Sequence, residues 1–322
     1  MKLLLMLSLV AVFSCISARA DVTAIIDARV YSMTEGDQVV PSRTIVIRDG
    51  RISEIGLDPA IPGNARLIDA AGKIVTPGLI SAASQLGLTE NSSNDHSNDQ
   101  AVTEGKLGPG FDIQYALNTN SLLLQLARAD GVTRAVSLPG ASNIVPFHGL
   151  GALLHLREGP DILERAGLTV MATVGGPSAG AAGGSRAAQW ILLRNSLDQA
   201  RFWSTPEKKK MKALSLDDLN SRALKAVIAG DIPLLLDVRR ESDIRQALKL
   251  HQDYGLRMIL IGATEAWRVA DELAAANIPV ILDAAADLPL SIDEQGARAD
   301  SASILHRAGV LIALYPSGSL HY

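Results

Sequence analysis

Short apolar runs that alternate with amphipathic segments constrain the fold of this chain more than any other feature of its sequence. The runs lack the polar–apolar alternation of a half-exposed strand, which is typical of strands buried on both faces of a parallel sheet. Strands that alternate with helices in this way indicate βα units. The runs are Ile74–Ile80, Val132–Leu138, Thr169–Val174, Ile232–Val238, Met258–Ile261, Ile278–Leu282 and Val310–Leu314.

The segments between the runs have the apolar spacing of helices. One of them begins at Ser215 with a capping box completed by Asp218. This many βα units predict an α/β protein with a (β/α)8 TIM-like barrel, and an open, doubly wound sheet is the structural alternative. No Gly-x-Gly-x-x-Gly turn follows an early strand to favour the open sheet. The predicted helices are Ser121–Ala129, Ser215 to about Ala229, Ser242–Gln252, Thr264–Ala275 and Ser301–Ala308.

The region before the barrel has a different pattern, with short β-prone stretches from Val22 to Asp69. Asp49-Gly50 is a strong signal for a two-residue hairpin turn. We expect a small antiparallel sheet with one face in water. The chain is therefore predicted to divide into residues 1–20, this small sheet at 21–75 and the barrel at 76–322.

Two stretches interrupt the alternation within the barrel. Thr89–Asp112 is polar and predicts a long loop after the first barrel strand. Gly175–Ser185 is rich in Gly, Ala and Ser, which is typical of either a phosphate cradle or a flexible surface connection. It lacks the Lys-Ser/Thr ending of a phosphate-binding loop, which favours the surface connection.

The first twenty residues have the pattern of a secretory signal. Lys2 precedes an apolar run, and Ala18-Arg19-Ala20 fits a cleavage site for small residues. The run is shorter than the roughly 20 residues that span a bilayer. Acylation of Cys15, as in a lipoprotein, and an uncleaved anchor are the alternatives. We therefore expect a protein that is exported across the inner membrane to the periplasm, a prediction that depends on these residues alone.

Composition excludes some partners. The formal net charge is -4 and only 4% of residues are aromatic, so a basic, base-stacking surface for nucleic acid is not expected. No later segment is apolar for long enough to span a membrane once the signal is cleaved. Because the only cysteine is Cys15, the mature chain has neither disulfides nor a thiol nucleophile.

Two segments carry a resemblance to a known family. Asp49–Gly56 and Leu67–Ile80, which includes Pro77-Gly78-Leu79-Ile80, resemble the amidohydrolase superfamily at the entry to its first barrel strand. Gly131-Val132-Thr133-Arg134 and the later repeat are similar to the imidazolonepropionase-like branch. The resemblance implies that residues 21–75 are an N-terminal β-sandwich portion that precedes the barrel. It also implies a hydrolase of carbon–nitrogen, non-peptide bonds, which uses zinc and acts on an amide or cyclic amide.

The positions that should ligate the metal depart from the family. Ala83 and Gln85 stand where the resemblance places two histidines, and Gly262 stands at the sixth-strand histidine. Ser317 lies where an aspartate is expected, so only Asp237, near the fifth-strand position, has a metal-binding side chain. We therefore predict no metal and no other cofactor. The six histidines, at 96, 148, 155, 251, 306 and 321, are interpreted as solvated or core residues.

Polar residues at the predicted strand ends are the remaining candidates for a site. Asp237 and Asp283 are candidate catalytic carboxylates in a metal-free site. Gln85, Ser84 and Glu265 are candidate substrate-binding residues.

Three functions follow from these residues. The first is a hydrolase with impaired activity. The second is a catalytically inactive periplasmic binding module, or a partner of an active homologue in a homo- or hetero-oligomer. The third is a truncated product, since the resemblance implies further sandwich strands beyond Tyr322.

Overall fold

The computed structural model describes residues 21–34, 40–90, 98–104, 106–142, 146–202, 218–283, 285 and 287–315. The predicted signal peptide lies outside these ranges. The chain divides into two compact units, of which the first ends at Pro77 and the second begins at Gly78. Within the described ranges, no helix is both long enough and apolar enough to cross a membrane.

The first unit is a five-stranded sheet in the order β3-β2-β1-β4, with β5 also paired to β1. β1, β2 and β3 are antiparallel, as predicted, and the Asp49-Gly50 turn joins Arg48 to its partner Arg51. β4 and β5 run parallel to β1, so a wholly antiparallel sheet was wrong. β3 forms one edge of the sheet, and the next strand, β4, pairs with the side of β1 that β2 leaves free. The strands are β1 (Val22–Val30), β2 (Val40–Arg48), β3 (Arg51–Gly56), β4 (Arg66–Asp69) and β5 (Ile74–Val75).

The second unit contains the other strands and the α-helices. Every predicted apolar run contains strand residues, and every predicted helical segment contains helix. The strands are β6 (Leu79–Ser84), β7 (Val132–Ser137), β8 (Phe147–Leu150), β9 (Ala152–His155), β10 (Leu163–Arg165), β11 (Val170–Thr173), β12 (Leu234–Val238), β13 (Met258–Gly262), β14 (Val280–Asp283) and β15 (Ile312–Tyr315). The α-helices are α1 (Leu122–Ala129), α2 (Arg186–Phe202), α3 (Asp218–Ile228), α4 (Glu241–Tyr254), α5 (Ala270–Ala275) and α6 (Ser301–Arg307).

These strands form a four-stranded sheet, β10-β9-β7-β6, and a six-stranded sheet, β15-β14-β13-β12-β11-β8. β11 to β15 are parallel to one another, and β6 is parallel to β7. β8 and β9 run antiparallel to β11 and β7. The connection from Leu138 to Pro146 explains this reversal, because a parallel return needs a crossover of about a dozen residues or more.

Side-chain alternation along the strands separates two cores. Leu234 and Leu236 of β12 are fully buried in the cluster that contains the helices. Leu235, between them, belongs to a second cluster with Ala83 of β6 and Ile261 of β13. Residues of β12 two positions apart share a face, so Asp237 follows Leu235 toward this second cluster. The α/β architecture is consistent with a TIM-like barrel.

Candidate active site

A cleft of about 240 Å³ lies where the carboxyl ends of β6, β11 and β12 meet. β11 and β12 are parallel, so the residues at their carboxyl ends lie side by side, and Gln85, which follows β6, lines the same cleft. Polar side chains and one glycine turn line the cleft. They are Gln85, His148, Thr173, Gly175, Gly176, Ser178, Asp237 and Arg239.

Asp237 and Arg239 form the charged part of the cleft. Arg239 Nε lies 3.9 Å from Asp237 Oδ1, and Arg239 Nη1 donates to Glu294 Oε1. Burial raises the pKa of Asp237, an effect that Arg239 opposes and the charge of Glu294 reinforces. Burial, together with the negative charge of Asp237, also raises the pKa of Tyr315 to about 12. The Tyr315 phenol therefore keeps its proton at neutral pH.

Gly262 leaves room for the Asp237 carboxylate. Its φ is +77°, and a Cβ built on it would lie 3.0 Å from Asp237 Oδ1. A side chain at position 262 would therefore be strained in its backbone and would press on the carboxylate. With no side chain at the end of β13, the Asp237 carboxylate lies closer to the backbone there than a Cβ would ordinarily permit.

His148 is a buried, neutral side chain on the floor of the cleft. Its Nδ1 accepts a hydrogen bond from Ser142 N at 2.9 Å, and its Nε2 lies 2.7 Å from Thr173 Oγ1. Since Nδ1 accepts, Nε2 carries the proton of the neutral ring and donates it to Thr173. Burial lowers the pKa of His148 from 6.5 to about 4. With both ring nitrogens engaged, His148 positions Thr173 and β11 and has no nitrogen left for a metal.

The Gly-rich segment contributes Gly175, Gly176 and Ser178 to one rim of the cleft, and Gly180, Gly183 and Gly184 lie on the surface, as the predicted surface connection requires. Residues Gly176–Ala182 form a 3-10 helix. Gly175 N donates to Gln189 Oε1 at 2.8 Å, and Gly176 N donates to Asp293 Oδ2 at 3.0 Å. These amides already have protein partners, which also argues against a phosphate cradle.

Asp293 ties three elements together behind this rim. Besides the Gly176 amide, it pairs with Arg186 of α2 and with Arg240 at the start of α4. Arg186 Nη1 also contacts Asp243 Oδ2 at 2.8 Å. Asp293 is 8% exposed, and so buried a carboxylate requires several donors. The network fixes the loop that carries Asp293 and Glu294 beside the cleft.

The fold of this chain has a counterpart among solved structures. It is similar to that of an amidohydrolase from Thermotoga maritima MSB8, with a TM-score of 0.80 and 20% sequence identity over 91% of this chain and 78% of that chain. The chain has the amidohydrolase fold. This fold agrees with the resemblance found in the sequence.

A sequence match agrees with the same superfamily. A stretch of 72 residues is 36% identical to imidazolonepropionase from Vibrio cholerae serotype O1, over 21% of this chain and 18% of that relative. The match thus spans under a fifth of the relative's length. No protein-family model matches the chain.

The metal positions implied by the amidohydrolase resemblance do not fit a metal ion in this chain. Ala83 is buried in the inner cluster, and Gly262 has no side chain. Asp237 faces the guanidinium of Arg239, whose charge would repel a second cation. Among the residues that the structure describes, no three His, Cys, Asp or Glu side chains are grouped closely enough to hold a metal. Ser317 lies outside those residues.

The predicted site residues separate into two groups within the amidohydrolase fold. Gln85 and Asp237 line the same cleft. Ser84 is fully buried and donates to Val136 O at 3.1 Å. Glu265 Oε2 accepts from the amide of Glu241, at the start of α4, at 2.8 Å.

Asp283 lines a second cavity of about 400 Å³, together with Thr264 and Arg298. Its Oδ1 accepts a hydrogen bond from Ala285 N at 3.0 Å. The structure therefore brings Gln85 and Asp237 together and places the other predicted residues elsewhere.

Arg239 and His148 line the cleft and Glu294 contacts Arg239 beside it, and the sequence proposed none of the three as site residues. Arg239 was accessible to sequence reasoning, because it follows Asp237 by two positions at the end of a predicted strand. Glu294 lies in a polar loop between β14 and α6, where nothing in the local sequence distinguishes it. His148 was interpreted as a solvated or core residue, and it is buried.

Proposed function

We propose that this chain binds a small molecule containing an amide or cyclic amide, in the cleft between Gln85 and Asp237, without a metal. The observation that carries the proposal is the placement of a cationic donor and a carboxyl group side by side, with Arg239 Nε 3.9 Å from Asp237 Oδ1. An amide offers a carbonyl acceptor and an N–H donor, and a cyclic amide presents both on one edge. It can therefore accept from Arg239 and donate to Asp237.

The size of the cleft supports a small ligand. Its volume of about 240 Å³ lies just below the roughly 300 Å³ at which pockets for drug-sized ligands begin. Gln85 adds one more donor and acceptor at its edge. A non-catalytic binding protein is the role that we favour, because the implied metal ligands do not fit.

Ligand-induced stabilisation tests this proposal. The full chain is screened by thermal unfolding against five- and six-membered lactams and imides and their acyclic counterparts. We expect at least one cyclic amide to raise the Tm of the wild type and of Asp283→Ala, and not that of Asp237→Ala. Asp283 is the matched control because it lies in the other cavity. No stabilisation by any amide, or equal stabilisation of Asp237→Ala, would contradict the proposal.

A second candidate is metal-independent hydrolysis of the same amides, with Asp237 as general acid–base. The upward shift of the pKa of Asp237 favours it, because a carboxyl group that titrates closer to neutral pH is a better proton-transfer group. Product formation that persists in chelator and is lost in Asp237→Asn would support hydrolysis over binding alone.

We infer further that the two sheets of the second unit close into one barrel. β15 lies alongside β6, and the inner cluster joins residues from β6, β12 and β13 with Ile281 of β14 and Tyr315 of β15. The third strand position would then be filled by β8 and β9 in the reverse direction. A crystal structure with backbone hydrogen bonds between β15 and β6 would test this.

Export belongs to the proposal as well, since it depends on the pattern of the first twenty residues. Mass spectrometry of the protein recovered from a periplasmic extract should find a chain beginning at Asp21. Recovery of the intact chain from the cytoplasmic fraction would contradict export. Assembly with itself or with a related amidohydrolase remains a prediction.

A further inference from the structure

Arg239 is held between two carboxylates that lie deeper than it does. Its Nε is 3.9 Å from Asp237 Oδ1, and its Nη1 donates to Glu294 Oε1. The arginine side chain is 39% exposed, whereas that of Asp237 is 24% and that of Glu294 is 9% exposed. Glu294 Oε2 is also fixed, since it accepts from Leu290 N at 3.0 Å.

Two carboxylates in this setting need a cation. Like charges near each other in a partly dry site repel, and neither carboxylate is solvated well enough to bear its charge alone. Carboxylate oxygens are also the ligands that hard divalent cations prefer. Either an internal cation or a bound metal ion could therefore neutralise the pair.

We propose that the Arg239 guanidinium is a built-in counter-cation that excludes divalent ions from between Asp237 and Glu294, and that its removal uncovers a divalent-cation site there. This inference rests on the proposed function, because it explains how the cleft works without a metal. Gly262 belongs to the same arrangement, since the missing side chain lets Asp237 remain beside the guanidinium.

The chain offers a matched control for this role. Arg245 also contacts two carboxylates, Glu241 at 2.9 Å and Glu272 at 3.1 Å. Those carboxylates are 35% and 48% exposed. Water can solvate them once the arginine is lost, so an Arg245→Met variant should leave only a weak site for a cation.

Titration with Mn²⁺, followed by the electron paramagnetic resonance signal of the free ion, tests the proposal on the full chain. We expect Arg239→Met to bind one Mn²⁺ at least about tenfold more tightly than the wild type, which is about 1.4 kcal/mol. Arg245→Met should bind like the wild type. Adding Asp237→Asn to Arg239→Met should abolish the gain, because one of the two carboxylates is then neutral.

Two results would overturn the inference. One is a wild-type chain that retains a stoichiometric divalent metal and whose Tm falls when a chelator removes that metal. The other is an Arg239→Met variant that binds Mn²⁺ no better than Arg245→Met. Should Arg239→Met fail to fold, Arg239→Gln, which keeps hydrogen-bond donors without the charge, takes its place under the same outcomes. A wild type that binds amides while Arg239→Met gains no Mn²⁺ site leaves the proposed function standing and refutes this inference alone.

Discussion

Replacing Gly262 with alanine should destabilise the second unit through two effects that can be separated. The first is the backbone, because φ at Gly262 is +77° and a residue with a Cβ costs about 1–2 kcal/mol in the left-handed region. The second is contact, because the new Cβ would lie 3.0 Å from Asp237 Oδ1. Displacing a neighbour in a packed site costs about 1 kcal/mol or more. The expected loss in the free energy of unfolding is therefore about 2–4 kcal/mol.

Gly230 provides the matched control. Its φ is +78°, and the nearest atom to a Cβ there would be Arg257 Cδ at 3.9 Å, an ordinary contact. Gly230→Ala should lose only the backbone contribution of about 1–2 kcal/mol. The difference between the two variants measures the contact with Asp237.

Urea unfolding followed by tryptophan fluorescence is the appropriate assay. All three tryptophans lie after Gly78 in the sequence, so the signal reports on the second unit. The midpoint of Gly262→Ala should fall below that of Gly230→Ala at an unchanged m-value. In an Asp237→Ala background the additional loss should disappear. Equal losses for the two glycine variants would refute the assignment of Asp237 to the space beside Gly262.

Three further outcomes are expected from the same assay. Because burial lowers the pKa of His148 from 6.5 to about 4, the unfolded chain takes up a proton between these pH values that the folded chain does not. The free energy of unfolding should therefore fall by about 3 kcal/mol as the pH drops through that interval. His148→Gln should lack this part of the pH dependence, and parallel curves of stability against pH for the variant and the wild type would contradict it. Glu265→Ala should cost about 1 kcal/mol, because the amide of Glu241 at the start of α4 loses its acceptor; an unchanged midpoint would show that the bond contributes nothing. Leu236→Ala, at a fully buried position, should lower the free energy of unfolding by about 2–5 kcal/mol. Leu288→Ala, at a position that is 69% exposed, should lower it by less than about 0.5 kcal/mol. Similar losses for the two variants would contradict the placement of the core.

Helix and strand positions followed from local pattern where that pattern was strong. The Asp49-Gly50 turn appeared where predicted, with both residues at positive φ. α2 was missed although its buried residues, Trp190, Leu193 and Leu197, have helical spacing. β8 and β9 were missed because Gly149 and Gly151 interrupt the apolar run that marks a strand.

The sequence by itself determined the βα repeat, the superfamily resemblance and the poor metal-ligand set, since each depends on residue type and spacing along the chain. It also placed Gln85 and Asp237 at strand ends, which parallel strands bring to one side. Only the tertiary structure decided that Ser84 faces away from the cleft and that Asp283 lines a different cavity. The pairing of Arg239 with Glu294 was likewise beyond the sequence, because a charged side chain takes its partner from whichever loop folds beside it, and that choice has no local signature.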